Sequence, residues 1–96
     1  MLLFTKKVII SGHAKNRYRE RIKDVPFSEI RKGILQDFSV SRVRRKTPKN
    51  EKNEFKVWCH GSRLYSCVET EKTIVVKTVI QMLPKDEEKI KKEIYG

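Results

Sequence analysis

No apolar run in this chain approaches the roughly 20 residues that span a bilayer. Stretches such as Val8–Ile10 and Val79–Ile80 are a small fraction of that length, which argues against a membrane partner. Met1–Phe4 followed by Lys6 and Lys7 has neither the order nor the length of a signal peptide, so the expected compartment is the cytoplasm. In that reducing setting the two cysteines, Cys59 and Cys67, are expected as free thiols. Glycine is scarce and scattered, at Gly12, Gly33, Gly61 and Gly96, so there is no glycine-rich loop to cradle phosphates. With two histidines and no cluster of carboxylates, the chain lacks the ligand sets of a zinc site or a two-metal nuclease. No metal or other cofactor is expected.

Acid is the other shortage, and it is local. Residues 1–50 hold 14 Lys or Arg against four acids, whereas residues 51–96 hold nine against eight. The net charge of +11 therefore lies almost wholly in the first half. A surplus gathered on one side of a small domain is an electrostatic footprint for a polyanion. The expected partner is RNA, with DNA second; an acidic antitoxin or host protein would be attracted by the same charge.

The 96 residues suit one domain, with no repeats or linkers long enough to divide it. Leu2–Ile10 reads as a short edge strand or as the entry to the first helix. Ser11 or Gly12 can cap a helix running to about Lys23, where Pro26 blocks continuation and Ala14, Tyr18 and Ile22 form an apolar stripe. Ser28 caps a second helix to about Asp37, burying Ile30, Ile34, Leu35 and Phe38. Strands are then predicted over Ser39–Lys46, with Val40 and Val43 inward, and over Glu54–His60, Arg63–Glu69 and Lys72–Gln81. Pro84 opens a closing helix over residues 84–95. The predicted architecture is α+β: two N-terminal helices on a four-stranded antiparallel sheet, plus a C-terminal helix. The core would span residues 11–81.

Gly61-Ser62, taken as a two-residue turn, sets Cys59 opposite Leu64 and Trp58 opposite Tyr65. One face then carries Phe55, Val57, Cys59, Leu64 and Val68. The other carries Lys56, Trp58, His60, Arg63, Tyr65 and Cys67, a mixture of cations and aromatics on which unstacked RNA bases could stack. Equally, Trp58 and Tyr65 can be an ordinary cross-strand pair covered by the closing helix. In this register the two cysteines lie on opposite faces and cannot bridge.

On the first helix His13, Arg17 and Arg21 fall at i, i+4 and i+8 and form one ridge beside the apolar stripe. A neutral imidazole can take a proton from a hydroxyl, and two arginines can hold a phosphate and the charge developing on it. RNA brings its own nucleophile, the 2′-hydroxyl, so such a set suffices in principle for cleavage without a metal. The same residues also serve as a plain phosphate-contact surface. Lys15 on this helix and Arg42, Arg44, Arg45 and Lys46 on the next strand join Lys56, Trp58, Arg63 and Tyr65 as candidate nucleic-acid contacts.

The segment His13-Ala14-Lys15-Asn16-Arg17-Tyr18-Arg19-Glu20-Arg21-Ile22 resembles the opening helix of a family of small bacterial and phage proteins. That family carries His-Ala, an Arg four residues after the His, and Glu-Arg beyond it. Val75-Val76-Lys77-Thr78-Val79-Ile80 looks like its last strand. The family is grouped with the barnase, EndoU, colicin and RelE-like toxin ribonucleases, and the resemblance covers roughly residues 11–81. It implies a metal-independent, toxin-like endoribonuclease in which His13 is general base or acid, Arg17 and Arg21 bind the scissile phosphate, and Thr78 lies nearby. The basic run Arg42–Lys46 departs from the family pattern. A two-residue turn at Thr70-Glu71 places Thr78 on the Trp58 face, and a three-residue turn places it in the core. The alternatives are a non-catalytic nucleic-acid-binding module on the same scaffold and a small phage or mobile-element protein that binds a host protein.

Overall fold

The computed structural model describes residues 2–82. The chain begins with a strand, β1 (Lys7–Ile10), in which Val8 and Ile10 face inward while Lys7 and Ile9 face out. Ser11 ends this strand and starts the next element in one step. Its backbone N–H donates to Val76 O, and its Oγ accepts from Ala14 N at 3.1 Å, capping helix α1 (Gly12–Arg21). Ala14 and Tyr18 are the buried side of α1, and Ile22 packs half-buried beside them, so the apolar stripe holds.

Helix α2 (Phe27–Asp37) starts two residues earlier than its sequence signal suggested. Pro26, not Ser28, is the N-cap, and its carbonyl accepts the first helical bonds from Glu29 and Ile30. Ile30, Ile34 and Phe38 enter the core. The next strand is shorter than expected, because the chain keeps turning after α2. Arg42 N and Val43 N both donate to Ser39 O, so β2 covers only Val43–Lys46. Val40 is left exposed, a correction to its inward placement, while Val43 is half-buried and packs against the core as expected.

Strands β3 (Glu54–Cys59), β4 (Arg63–Glu69) and β5 (Thr73–Gln81) complete a five-stranded sheet in the order β1-β5-β4-β3-β2. The α+β class stands, but the expected four-stranded antiparallel sheet does not. β1 adds a fifth strand parallel to β5, with Lys7 opposite Thr73 and Ile10 opposite Val76. Both strands are β-branched and apolar on the same face, and the pairing lets Val8 and Ile10 extend the core beneath α1. The predicted closing helix over residues 84–95 lies outside the described residues. Among the described residues no helix is long and apolar enough to cross a membrane.

Both helices cover one face of the sheet, where the core runs from Ala14, Tyr18, Ile30 and Ile34 to Val57, Tyr65, Val76 and Val79. α1 meets α2 closely at Gly33. A Cβ there would stand 2.5 Å from Tyr18 Oη. Alanine is favoured over glycine in a helix by roughly 1 kcal/mol, yet Gly33→Ala should destabilise the protein in chemical denaturation, because buried Tyr18 has little room to move. In a Tyr18→Phe background the clashing atom is gone, and the same alanine should become neutral or stabilising.

Candidate nucleic-acid interface

The β3–β4 hairpin decides which side chains any interface can offer. Its loop has three residues, His60, Gly61 and Ser62, because Cys59 pairs with Arg63 and Trp58 with Leu64. Gly61 (φ 83°) and Ser62 (φ 59°) both adopt left-handed backbone to close it. This is one residue longer than the turn expected, and a one-residue slip moves every side chain of β4 to the other face. Arg63, Tyr65 and Cys67 therefore lie on the helix-covered face with Phe55, Val57 and Cys59, while Leu64 joins Trp58 on the opposite face.

The aromatic platform is corrected accordingly. Tyr65 is fully buried, its ring edge-on to Phe38 at 5.2 Å. Trp58 is 1% exposed and packs with Leu64 and Met82, with the Arg44 guanidinium 5.4 Å from its ring. Neither ring is open to a stacking base, and the two are not a cross-strand pair. The cysteines share a face after all. Cys67 sits opposite Phe55, four residues along β3 from Cys59, and both are buried free thiols.

The catalytic set is brought together only in part. On α1, Arg17 Nε donates to His13 Nε2 at 3.4 Å, and its Nη1 is held by Glu20 at 2.7 Å. Arg21 donates to the backbone carbonyl of Val79 at 2.9 Å, which fastens the end of α1 to β5. A bulge at Lys77 leaves Thr78 opposite Ser66, which in turn faces Lys56. Thr78 thus lies on the Trp58 face, across the sheet from the helices and from His13. A nuclease centre uniting His13, Arg17, Arg21 and Thr78 is not formed. Lys15 lies beside the ridge with its ammonium 4.6 Å from the Phe27 ring.

The basic residues on β2 lie together on one edge of the sheet. Arg44, Arg45 and Lys46 are exposed along an edge strand, with Lys49, Lys52 and Lys56 exposed in the loop and strand that follow. Arg44 is the bulged residue between Val43 and Arg45, and its Nε donates to His60 Nδ1 at 3.3 Å. Arg45 opposes Trp58, and the Lys46 ammonium lies 5.1 Å from the Phe55 ring. β4 and β3 separate this edge from β5 beneath α1, a span of about 14 Å at the usual strand spacing.

A second charged constellation escaped the sequence reading. Asp37, the last residue of α2, is 1% exposed. Its Oδ2 accepts from Tyr65 Oη and from Arg63 Nη1 (3.1 Å), while Oδ1 lies 3.5 Å from Arg42 Nε. Its backbone carbonyl accepts from Cys59 Sγ at 3.2 Å. Two signals pointed to it. Asp37 is the only acid between Glu29 and Glu51, and Arg63 and Tyr65 are two apart on a strand, hence on one face. Burial opposes the charge on Arg63, but the hydrogen bond and charge of Asp37 outweigh that and raise its pKa. Burial and the neighbouring Asp37 charge also raise Tyr65 and, against the pull of Arg63, Tyr18.

No family model, curated protein or solved structure matches the chain. The ribonuclease resemblance therefore rests on the His13–Ile22 motif and the last strand alone.

Replacing Asp37 should be costly, because it strands two cationic partners and a buried hydroxyl. Asp37→Ala is expected to lose roughly 3 kcal/mol, the lower end of the range since Arg42 and Arg63 are partly exposed. Tyr65→Phe should lose about 2 kcal/mol. Urea titration followed by the emission of Trp58, the sole tryptophan, measures both.

Alkaline pH should unfold the protein. Burial pushes the Cys59 and Cys67 thiols from 9.0 up to about 12, the charge of Asp37 adding to the first. Each thiol stays protonated in the fold after its unfolded counterpart has ionised. Their stabilising effect is whole below about pH 9 and is lost as pH rises toward 12, by about 1.4 kcal/mol per pH unit and thiol. Urea midpoints should fall across that window, less steeply in Cys59→Ala.

Proposed function

We propose that this chain is a cytoplasmic nucleic-acid-binding module that grips the phosphate backbone through its β2 edge, without cleaving it. The observation that carries this reading is the exposed run Arg44-Arg45-Lys46 on an edge strand, followed by exposed Lys52 and Lys56. With Trp58 and Tyr65 buried, the β2 edge offers charge and hydrogen-bond donors, and neither of these two rings serves it as a stacking platform. Contacts of this kind go to phosphates and tolerate any base sequence.

The endoribonuclease reading has one specific observation in its favour, the His13–Arg17 contact. Against it, the Nε2 lone pair that a general base would use already accepts from Arg17, and Thr78 is across the sheet. Chemistry would need His13 to release that bond on binding RNA.

Binding of a labelled RNA or DNA oligonucleotide across a salt series tests the proposal. Affinity should fall steeply, with log K against log salt losing roughly 0.7 to 0.9 per phosphate contacted. An Arg44→Gln/Arg45→Gln variant should bind more weakly for every sequence and lose about two contacts from that slope. Products bearing a cyclic phosphate in EDTA, made by wild type and not by His13→Ala, would restore the nuclease. No binding at about 50 mM salt, where phosphate contacts are strong, would leave an acidic protein as the partner.

A further inference from the structure

Between the end of α2, the turn that follows it and the start of β4 lies a cleft of about 310 Å³. Tyr18 forms one wall, and the Arg63 guanidinium lies 6.0 Å from its ring. Six charged residues line it: Lys23, Glu29, Lys32, Asp37, Arg42 and Arg63. Four cations against two carboxylates leave two positive charges in excess. The imbalance reaches inward, because the single carboxylate of Asp37 serves both guanidiniums.

The hydrogen bonds are incomplete in the same sense. Arg63 Nε and Arg42 Nε are buried, and neither N–H has an acceptor among the described residues. Asp37 does not complete them: its Oδ2 is shared between Arg63 Nη1 and Tyr65 Oη, and its Oδ1 meets Arg42 Nε at 3.5 Å as an ion pair without hydrogen-bond geometry. Buried donors of this kind are normally matched. What the cleft lacks is an anion bearing about two charges and several acceptor oxygens. A carboxylate or an internal phosphodiester brings one charge. A phosphate monoester brings about −1.5 to −2 at pH 7 and three acceptor oxygens, and planar guanidiniums suit such oxygens.

We propose that this cleft binds a phosphate monoester, and that its source is the terminal phosphate of a nucleic acid held by the β2 edge. The source rests on the nucleic-acid reading above; the site does not. Arg42 leads directly into β2, so one strand of nucleic acid could wrap over this sheet edge, from Arg44 and Arg45 on the Trp58 side to the cleft on the helix side.

The test uses the full chain. In ¹⁵N spectra, the buried Nε–H groups of Arg42 and Arg63 should give protected resonances that shift saturably when inorganic phosphate is added. Lys23→Glu/Lys32→Glu changes only exposed rim residues and should weaken that titration at least tenfold while the backbone spectrum stays folded. An RNA or DNA oligonucleotide with a 5′ or 3′ phosphate should bind about tenfold tighter than its hydroxyl-ended counterpart, and the variant should erase the difference. A phosphate response without that preference supports the site and assigns it to a small phosphorylated ligand. Arginine resonances indifferent to phosphate overturn the proposal, and hydroxyl-ended oligonucleotide binding in the same samples shows whether the β2 reading survives it.

Discussion

The structure turns on one buried carboxylate. A charge as deeply enclosed as that of Asp37 is tolerated only with partners of high quality, because desolvation otherwise drives it out or neutralises it. Its partners come from far along the chain: Arg63 and Tyr65 on β4, Arg42 in the turn before β2, and Cys59 on β3 through the backbone carbonyl. These bonds join the end of α2 to three consecutive strand regions. They also specify the hairpin. Only the three-residue loop puts both Arg63 and Tyr65 on the helix face; a two-residue turn would send both to the far side and leave Asp37 buried with Arg42 alone. The loop geometry at Gly61 and Ser62 and the acid at the end of α2 therefore require each other.

That requirement shapes what the surface can do. Holding Tyr65 to Asp37 removes an aromatic ring from solvent, and the sheet face that keeps Trp58 closes it with Leu64 and Met82. What remains along the β2 edge is cationic, with the nearby Trp58 and Tyr65 rings closed to bases. A cationic edge of this kind recognises charge and shape better than bases. The same carboxylate draws two arginines together at half-burial, where like charges would otherwise repel. Asp37 thus has a structural role and, by neutralising only one of them, leaves the cleft poised for an anion.

Local signals in the sequence were sufficient for the local elements. The stripe of Ala14, Tyr18 and Ile22, the cap at Ser11 and the β-branched last strand all read correctly because each depends on residues within one or two turns. Failures came where the outcome is set at long range. Parallel pairing of β1 with β5 joins residues 66 apart, and Leu2–Ile10 alone does not say whether it has a partner. One extra residue in the hairpin loop exchanged the faces of Leu64, Arg63, Tyr65 and Cys67. The bulge at Lys77 defeated any count along β5 to Thr78. Of the candidate site, the basic run on β2 was plain from composition. Asp37 was missed because an acid near the end of an amphipathic helix ordinarily faces water, and only its distant partners make it a buried one.

The β2 edge poses a last question, since charge on an edge strand also prevents pairing with another chain. Protection alone would be met by a lysine or two pointing into solvent. Here the bulge at Arg44 breaks the ladder between Val43 and Arg45, which already spoils the edge as a template. The added effect of the bulge is on side-chain direction. It interrupts the alternation of β2, so that Arg44 turns to His60 and the Trp58 ring while Arg45 opposes Trp58 in the ladder, which sets both arginines toward the Trp58 side. A regular strand would have sent adjacent arginines to opposite faces. Two guanidiniums gathered on one side form a local concentration of charge that edge protection does not require and that binding to spaced phosphates does.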